Sequence, residues 1–187
     1  MSSSLVAPIL EQMENNLSDN FKIIIAEAKD WESYKNIRLE SLQNEPQAYS
    51  SNLAKELAYS SEKWISRLQP YSIDFKSMNL LLIDLSNNKI VGTVGFYSME
   101  EGIAEIVGLY VNKSFRDKHL GYTLMGFIID QIGLTNDYKE IRLSVNEKQF
   151  TALSLYKKLG FNITDKSDTT LGDGNVYPTC SMLLEIV

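Results

Sequence analysis

An apolar strand, a short basic loop and an amphipathic helix follow one another in the segment IAEIVGLYVNKSFRDKHLGYTLM, from Ile103 to Met125. The loop contains Lys113, Arg116 and Lys118, opposed only by Asp117, although the whole chain carries a formal net charge of −6. Backbone N–H groups and the positive end of a helix dipole converge where such a loop enters a helix. The segment therefore predicts an anion-binding site, and a phosphate group is the expected ligand.

Length and composition predict one soluble globular domain. The chain has 187 residues, of which 44% are hydrophobic and 22% charged, and no apolar run approaches the roughly 18 residues of a membrane span. The first residues lack a basic region before an apolar run, so we expect no signal peptide. The single Cys180 fits a reducing compartment and favours a cytoplasmic location. One His and one Cys cannot form a convincing zinc site, so no metal is expected. A pI near 4.9 argues against nucleic acid as a partner.

The pattern of apolar residues predicts a mixed α/β domain over residues 20–187, behind a Ser- and Asn-rich tail at residues 1–19 with a short helix at 8–15. Asp30 stands at the N-cap position of the first helix, and Gly160 at the C′ position of the last. The predicted order is β-α-α-β-β-β-α-β-α-β-β, which implies a mixed sheet with helices on its faces. The strands are at 21–26, 80–85, 90–97, 103–111, 141–145, 161–163 and 177–186, and the later helices at 54–68, from 120 onward, and at 149–159.

Two motifs in this order resemble those of the GNAT superfamily of N-acetyltransferases, which transfer an acetyl group from acetyl-CoA to an amine. The first is the loop Arg116-Asp117-Lys118-His119-Leu120-Gly121, in which Arg116 and Gly121 match the family and His119 stands where glycine is preferred. The second contains Asn146, Tyr156 and Gly160-Phe161, with Gln149 where the family often has Asn. The resemblance covers about residues 21–187 and implies a mostly antiparallel sheet.

The resemblance implies that acetyl-CoA is the cosubstrate and indicates which residues bind it. Backbone amides of the loop would bind the pyrophosphate, and the pantetheine arm would pair with the preceding strand. The N–H of Leu109 or Tyr110 would bind the thioester oxygen as negative charge develops on it. The predicted cofactor-binding residues are Leu109, Tyr110, Val111, Arg116, Asp117, Lys118, His119, Leu120, Gly121, Tyr122, Asn146 and Gln149.

Tyr156 and Glu105 are the predicted catalytic residues. In the family, the tyrosine at the position of Tyr156 lies beside the CoA sulfur and serves as a general acid or as a hydrogen-bond donor to the leaving thiolate. Glu105 resembles a carboxylate position that deprotonates the amine, and strict alternation places Glu105, Val107, Leu109 and Val111 on one face. Two alternatives stay open: Tyr156 as a core residue with a satisfied hydroxyl, and Glu105 as a strand-end charge that reaches solvent.

The leading hypothesis is direct attack by the primary amine of a small molecule on acetyl-CoA in a ternary complex. The early segment RLESLQNEPQAYSS resembles the acceptor region of one small-molecule branch of the family. The alternatives are an acyl-CoA-binding regulatory module with little catalysis and an acetyltransferase of proteins or peptides. Acceptor residues are expected in loops at 44–60, 70–77 and 167–177. The sequence leaves the oligomeric state open, with a homodimer among the alternatives because dimers are frequent among relatives.

Overall fold

The computed structural model describes residues 20–68 and 76–186. The predicted tail at 1–19, its short helix, and most of the predicted acceptor loop at 70–77 lie outside the described residues. The described strands are β1 (Phe21–Ile25), β2 (Ser77–Asp84), β3 (Lys89–Glu100), β4 (Ile103–Val111), β5 (Glu140–Asn146), β6 (Asn162–Thr170) and β7 (Val176–Glu185). The α-helices are α1 (Trp31–Asn44), α2 (Leu53–Leu57), α3 (Ser61–Ser66), α4 (Leu120–Gly133) and α5 (Phe150–Lys158). Single 3₁₀ turns lie at Ala28–Asp30, Pro46–Ala48 and Lys113–Phe115.

The described strands form one seven-stranded sheet in the order β1-β2-β3-β4-β5-β7-β6. Every neighbouring pair is antiparallel except β4 and β5, which are parallel. These two strands pair only where Ile103–Glu105 faces Glu140–Arg142. Beyond this stretch β4 stays paired with β3, and β5 stays paired with β7. The two central strands therefore separate, and the mixed, mostly antiparallel sheet predicted from sequence is confirmed.

Apolar clusters pack on both faces of the sheet. On one face α4 buries Leu120, Leu124, Ile128 and Ile132, the four residues whose spacing predicted the helix. Each such side chain contributes about 1.5–3 kcal/mol when fully buried. The opposite face carries a smaller cluster built from α1, α3 and the sheet, which includes Tyr34, Ile37, Trp64, Leu81 and Tyr110. Among the described residues, no helix is both long and apolar enough to cross a membrane.

A β-bulge in β4 contradicts the predicted alternation along this strand. Val107 faces Gly95 and Tyr110 faces Thr93, so β4 has one residue more than β3 across this interval. The extra residue is accommodated at Gly108, whose φ of +71° favours glycine. Beyond the bulge, Leu109 and Val111 pack on the main core, while Tyr110 joins the smaller cluster. Glu105 therefore shares a face with Tyr110 and not with Leu109 and Val111.

The predicted single helix at 54–68 is wrong, because side-chain caps divide this segment into α2 and α3. Asn52 Oδ1 accepts from Lys55 N–H at 2.9 Å, and Ser60 Oγ accepts from Lys63 N–H at 3.4 Å, so each short helix has its own start. Leu57 is 55% exposed next to the break. Asp30 does precede α1, but its carboxylate accepts from Glu27 N–H at 2.9 Å and caps the preceding turn instead.

The segment from Asn162 to Thr170 forms a longer strand than predicted. Nearly all its side chains are exposed, so it lacks the apolar alternation that marks a half-buried strand. Its backbone pairs with β7 instead, from Asn162 opposite Leu183 to Thr170 opposite Val176. The loop predicted at 167–177 is therefore mostly a β-hairpin.

Candidate active site

The separation of β4 from β5 opens a cleft of about 1500 Å³. The loop before α4 lines one end of it, and side chains from α1 to α3 line the other. The two predicted catalytic residues, Tyr156 and Glu105, both line this cleft. The structure therefore brings together groups that lie on different elements and far apart in sequence.

The backbone of β4 beyond the bulge presents alternate residues to the cleft. Asn112 N–H donates to Val91 O of β3 at 2.8 Å, so the alternation of an antiparallel pair directs the amide of Tyr110 to β3 as well. The amides of Leu109 and Val111 then point away from β3, to the side that β5 has left. On this side Leu109 O accepts from Tyr49 OH at 3.2 Å, and Val111 O accepts from Arg116 Nε at 3.0 Å. Of the two predicted oxyanion donors, Leu109 is the one on the cleft side.

The loop before α4 presents unused amides at the helix N-terminus. His119 occupies the N-cap position with φ 58° and ψ 10°, and Asp117 also has a positive φ, of 62°. The first helical hydrogen bond runs from Thr123 N–H to His119 O at 3.0 Å. The amides of Leu120, Gly121 and Tyr122 therefore precede it and have no carbonyl partner within the helix. This arrangement fits an anion such as pyrophosphate.

Gly121 leaves room on the cleft side of this loop. A Cβ at this position would lie 3.8 Å from Leu155 Cδ2 and 4.0 Å from Val111 Cγ2, which are ordinary packing distances. Its φ is not positive, so neither packing nor backbone conformation within the protein requires glycine here. The absence of a side chain at Gly121 therefore leaves space for a ligand that approaches the loop from the cleft.

Two of the three basic side chains of the loop, those of Arg116 and Lys118, contact other side chains of the protein. Arg116 forms an ion pair with Glu45, and Lys118 lies 5.4 Å from the ring centroid of Phe115. Arg116 therefore has a neighbouring carboxylate that compensates its charge. The anion site predicted here depends mainly on backbone N–H groups.

Tyr156 is buried at the cleft wall, and no hydrogen bond of its hydroxyl occurs among residues 20–68 and 76–186. Burial, with a smaller contribution from Tyr49, raises the pKa of Tyr156. The phenol therefore remains protonated at neutral pH and can donate a proton or a hydrogen bond. This geometry favours the functional interpretation of Tyr156 over a core residue with a satisfied hydroxyl.

Glu105 lies on the cleft wall and accepts from Tyr97 OH at 2.8 Å. Burial and this hydrogen bond raise the pKa of Tyr97 to about 12, so the phenol remains a donor to the carboxylate. Because Glu105 is partly exposed, solvent can reach it as well. Its predicted role as a base stays a prediction.

Asn146 and Gln149 differ in their positions relative to the cleft. Asn146 is buried: its Nδ2 donates to Gln47 O at 3.1 Å, and its Oδ1 accepts from Lys148 N–H at 2.9 Å. Its side chain thus ties β5 to the turn Pro46–Ala48. Gln149 lines the cleft at the N-cap of α5, and its side chain does not cap the helix. Contact of either residue with pantetheine stays a prediction.

A charged cluster at the other end of the cleft escaped the sequence-based predictions. Glu56 is fully buried and accepts from Arg38 Nε and Nη2 at 3.2 and 2.9 Å, and from Arg67 Nη1 at 3.0 Å. Burial by itself would raise the pKa of Glu56, but the hydrogen bonds and charge of Arg38, with the charge of Arg67, hold it below its ordinary value. The signal available in the sequence was Arg38 itself, a charged residue among the apolar positions of α1.

Within the described ranges, no group of three or more His, Cys, Asp or Glu side chains is arranged to hold a metal ion. Tyr156 and the backbone amides on the cleft walls can donate hydrogen bonds or a proton, and Glu105 can accept one, which suits acyl transfer. A thioester could lie along β4 with its phosphates at the N-terminus of α4.

Comparison with known proteins identifies the family. Residues 29–161 match the family model described as "Acetyltransferase (GNAT) family". A GNAT acetyltransferase from Streptococcus pneumoniae has a similar structure, with 21% identity, 89% of this chain and 99% of that chain covered, and a TM-score of 0.77. A ribosomal-protein-S5-alanine acetyltransferase from Vibrio fischeri is 12% identical, with 91% and 95% covered and a TM-score of 0.74. A spermidine N-acetyltransferase from Vibrio cholerae, in complex with CoA and spermine, is 14% identical, with 90% and 97% covered and a TM-score of 0.72. No curated protein sequence matches the chain at a significant level.

Proposed function

Because this chain belongs to the GNAT family and is an acetyl-CoA-dependent acyltransferase, we propose that it acetylates the primary amine of a small molecule. One observation carries the proposal: the separation of β4 and β5 brings the Leu109 amide and the Tyr156 hydroxyl to the same cleft as the N-terminus of α4. Leu109 N–H can bind the carbonyl oxygen of acetyl-CoA, the Tyr156 hydroxyl can protonate its sulfur, and the N-terminus of α4 can bind its phosphates.

The proposed reaction is a direct attack within a ternary complex. The amine nitrogen bonds to the carbonyl carbon, and the negative charge that develops on the oxygen is stabilised by Leu109 N–H. The C–S bond then breaks, and Tyr156 donates its phenolic proton to the departing thiolate. Before the attack, the ammonium group of the acceptor loses one proton to Glu105, directly or through water, and becomes a neutral amine. After the attack the nitrogen loses a second proton to solvent, and solvent returns a proton to Tyr156.

The lining of the acceptor end supports a small molecule over a protein. Tyr34, Tyr49, Glu56, Thr93 and Phe96 line the cleft although each is buried in the fold. The site therefore reaches into the interior between the sheet and the first helices, where a compact amine can be enclosed. The names of similar structures include both a ribosomal protein and spermidine as acceptors, so the shared fold does not choose between these classes.

Thiol release from acetyl-CoA in the presence of an amine panel tests the proposal. We expect release that depends on a small primary amine, with the N-acetylated product identified by mass spectrometry. A protein acetyltransferase would instead acetylate peptides and leave the small amines unmodified. An acyl-CoA-binding module, the alternative suggested by His119 in place of glycine, would bind CoA in calorimetry without releasing thiol from acetyl-CoA with any amine.

A further inference from the structure

The acceptor end of the cleft contains two arginines that share one carboxylate. Both guanidinium groups donate to Glu56, and the three side chains line the same cleft. The cluster therefore has a net charge of about +1, although Glu56 is fully buried and the Arg38 side chain is only 13% exposed. An uncompensated charge that is largely buried is costly unless an anionic ligand neutralises it or water solvates it.

Both arginines retain N–H donors that Glu56 does not use. Arg38 donates to Glu56 through Nε and Nη2, and its Nη1 lies 4.0 Å from the position that a Cβ would take at Gly108. Arg67 uses only Nη1. Arg67 also lies beside the Tyr34 hydroxyl, where its charge and a hydrogen bond oppose the rise in the pKa of Tyr34 that burial causes. In the described part of the chain, Arg38 Nη1 makes no hydrogen bond. The bulge in β4 therefore lies beside an unused donor of Arg38, one residue before the Leu109 amide.

Aromatic rings hold these guanidinium groups in place. Arg38 lies 4.6 Å from the ring centroid of Tyr49, and Arg67 lies 5.0 and 5.1 Å from those of Tyr59 and Trp64. Together with Glu56, the rings restrict the rotation of both side chains before any ligand binds. A planar cation that is fixed in this way is suited to an anionic group with two or more oxygens.

Among residues 20–68 and 76–186, the other carboxylates that line the cleft form no ion pair with Arg38 or Arg67. Glu45 also lines the cleft but is paired with Arg116 at the CoA end. Glu105 accepts from Tyr97 OH and is the carboxylate that would face the ammonium group of an acceptor. The cleft therefore offers a cationic pair and a separate carboxylate, a pattern complementary to a molecule with both an amine and an anion.

We propose that the acceptor carries an anionic group, a carboxylate or a phosphate, which binds between Arg38 and Arg67. This inference rests on the proposed function and narrows its substrate class to amines that also carry an anion. Glu56 is the positioning residue of the site, since it orients both arginines and leaves their outer N–H groups to the ligand.

Matched pairs of amines that differ only in the anion provide the test. β-Alanine is compared with β-alaninamide, 4-aminobutyrate with its amide, and phosphoethanolamine with ethanolamine. Binding to the complex of the protein with CoA is measured by calorimetry, and KM and kcat are measured with acetyl-CoA. We expect the anionic member of at least one pair to bind about ten- to hundredfold more tightly, because a hydrogen bond to a charged group contributes roughly 1.5–3 kcal/mol. The carboxylate and phosphate pairs show which anion is preferred.

Arg67→Gln should remove this preference while Arg38 still pairs with Glu56. The Kd and KM of the anionic member should rise about ten- to hundredfold, and those of the neutral member should change less than about twofold. Arg67→Lys retains the charge and should restore part of the preference. Lys89→Gln removes an exposed positive charge at the start of β3, outside the cleft, and should leave both members unaffected.

Several results would overturn the inference. These are equal binding of both members in every pair, no binding by any anionic member, or an equal loss for both members in Arg67→Gln. Acetylation of amines without a preference for the anion would remove this inference and leave the proposed function intact. Preferential binding of the anionic amine without acetyl transfer would remove the proposed function and leave the anion site between Arg38 and Arg67 intact.

Discussion

The two ends of the cleft are built from different parts of the chain. At the end proposed to bind CoA, the groups available to a ligand are backbone amides of one segment, those of Leu109 and Leu120–Tyr122. At the acceptor end they are side chains from separate helices, Arg38, Glu56 and Arg67. A backbone site survives many changes of side chain, because every residue except proline supplies an N–H group. A side-chain site depends on particular residues, so it can differ between relatives that share one fold.

The largest effect is expected at the acceptor end, on stability. Glu56→Gln should lower the free energy of unfolding by about 3 kcal/mol, because it leaves two arginines without their carboxylate. This is the lower end of the range for a buried ion pair, since the Arg67 side chain is 28% exposed and can be partly solvated. Urea unfolding measures the change. Glu101→Gln, in the exposed turn between β3 and β4, is the matched control and should leave stability nearly unchanged.

The same variant should change the acid sensitivity of the fold. The pKa of Glu56 is held below its ordinary value of 4.5, so its stabilising contribution is complete above about pH 4.5. That contribution is lost as the pH falls through the lower pKa of the folded state. The stability difference between the native chain and Glu56→Gln should therefore be constant above about pH 4.5 and shrink as the pH falls from about 4.5 to 3. A constant difference across this range would show that ionisation of Glu56 is not the cause.

The next largest effect is expected where the two ends meet, at Tyr156. Tyr156→Phe should lower kcat about a hundredfold, because the departing thiolate loses its proton donor. The Kd of acetyl-CoA should stay within about twofold, since binding depends on the backbone amides. Tyr177→Phe, which removes a hydroxyl outside the cleft, is the control. Full turnover by Tyr156→Phe would exclude this residue from the mechanism.

A smaller effect is expected at the CoA end. Gly121→Ala should weaken CoA binding about tenfold, or roughly 1.4 kcal/mol, because its methyl group would stand between the phosphates and the amides. Thermal unfolding should not reveal damage, since the new Cβ meets Leu155 at 3.8 Å. Gly126→Ala adds a methyl group to the same helix with nothing within 4 Å and should leave CoA binding unchanged. Equal CoA affinity in both variants would place the phosphates elsewhere.

The smallest effect is expected at His119. His119→Gly should stabilise the fold by about 1 kcal/mol, because glycine adopts the observed φ of 58° without strain. CoA binding should tighten a few-fold, since the side chain no longer restricts the loop. Asn136→Gly relieves a similar φ of 55° at the far end of α4 and should change stability alone. Unchanged or weaker CoA affinity in His119→Gly, measured by calorimetry, would count against the effect of this side chain.

The elements with strong local patterns were predicted well. Leu120, Leu124, Ile128 and Ile132 repeat at helical spacing and are all buried in α4. Gly160 ends α5 with a φ of +94°, as its position after the helix predicted. In both cases the deciding interactions are between residues near one another in sequence, so the pattern alone is informative.

The features that the sequence did not predict share a different cause. The bulge in β4 depends on how its register fits β3, and the polar strand β6 depends on its pairing with β7. The helix predicted at 54–68 divides because Ser60 caps a new helix, a choice that Trp64 favours by packing in the smaller core. The spacing of hydrophobic residues indicates which side chains are buried, but it does not indicate how one strand aligns with its neighbour.

The sequence by itself determined the strand, loop and helix between Ile103 and Met125 and, with the downstream motif around Tyr156, the family of the chain. Neighbouring residues specify these features through backbone conformation and local hydrogen bonds. Only the tertiary structure decided that β4 and β5 separate, that Leu109 presents its amide to the cleft, and that Arg38 and Arg67 share Glu56. These features depend on strand register and on packing between distant segments, which no local pattern encodes.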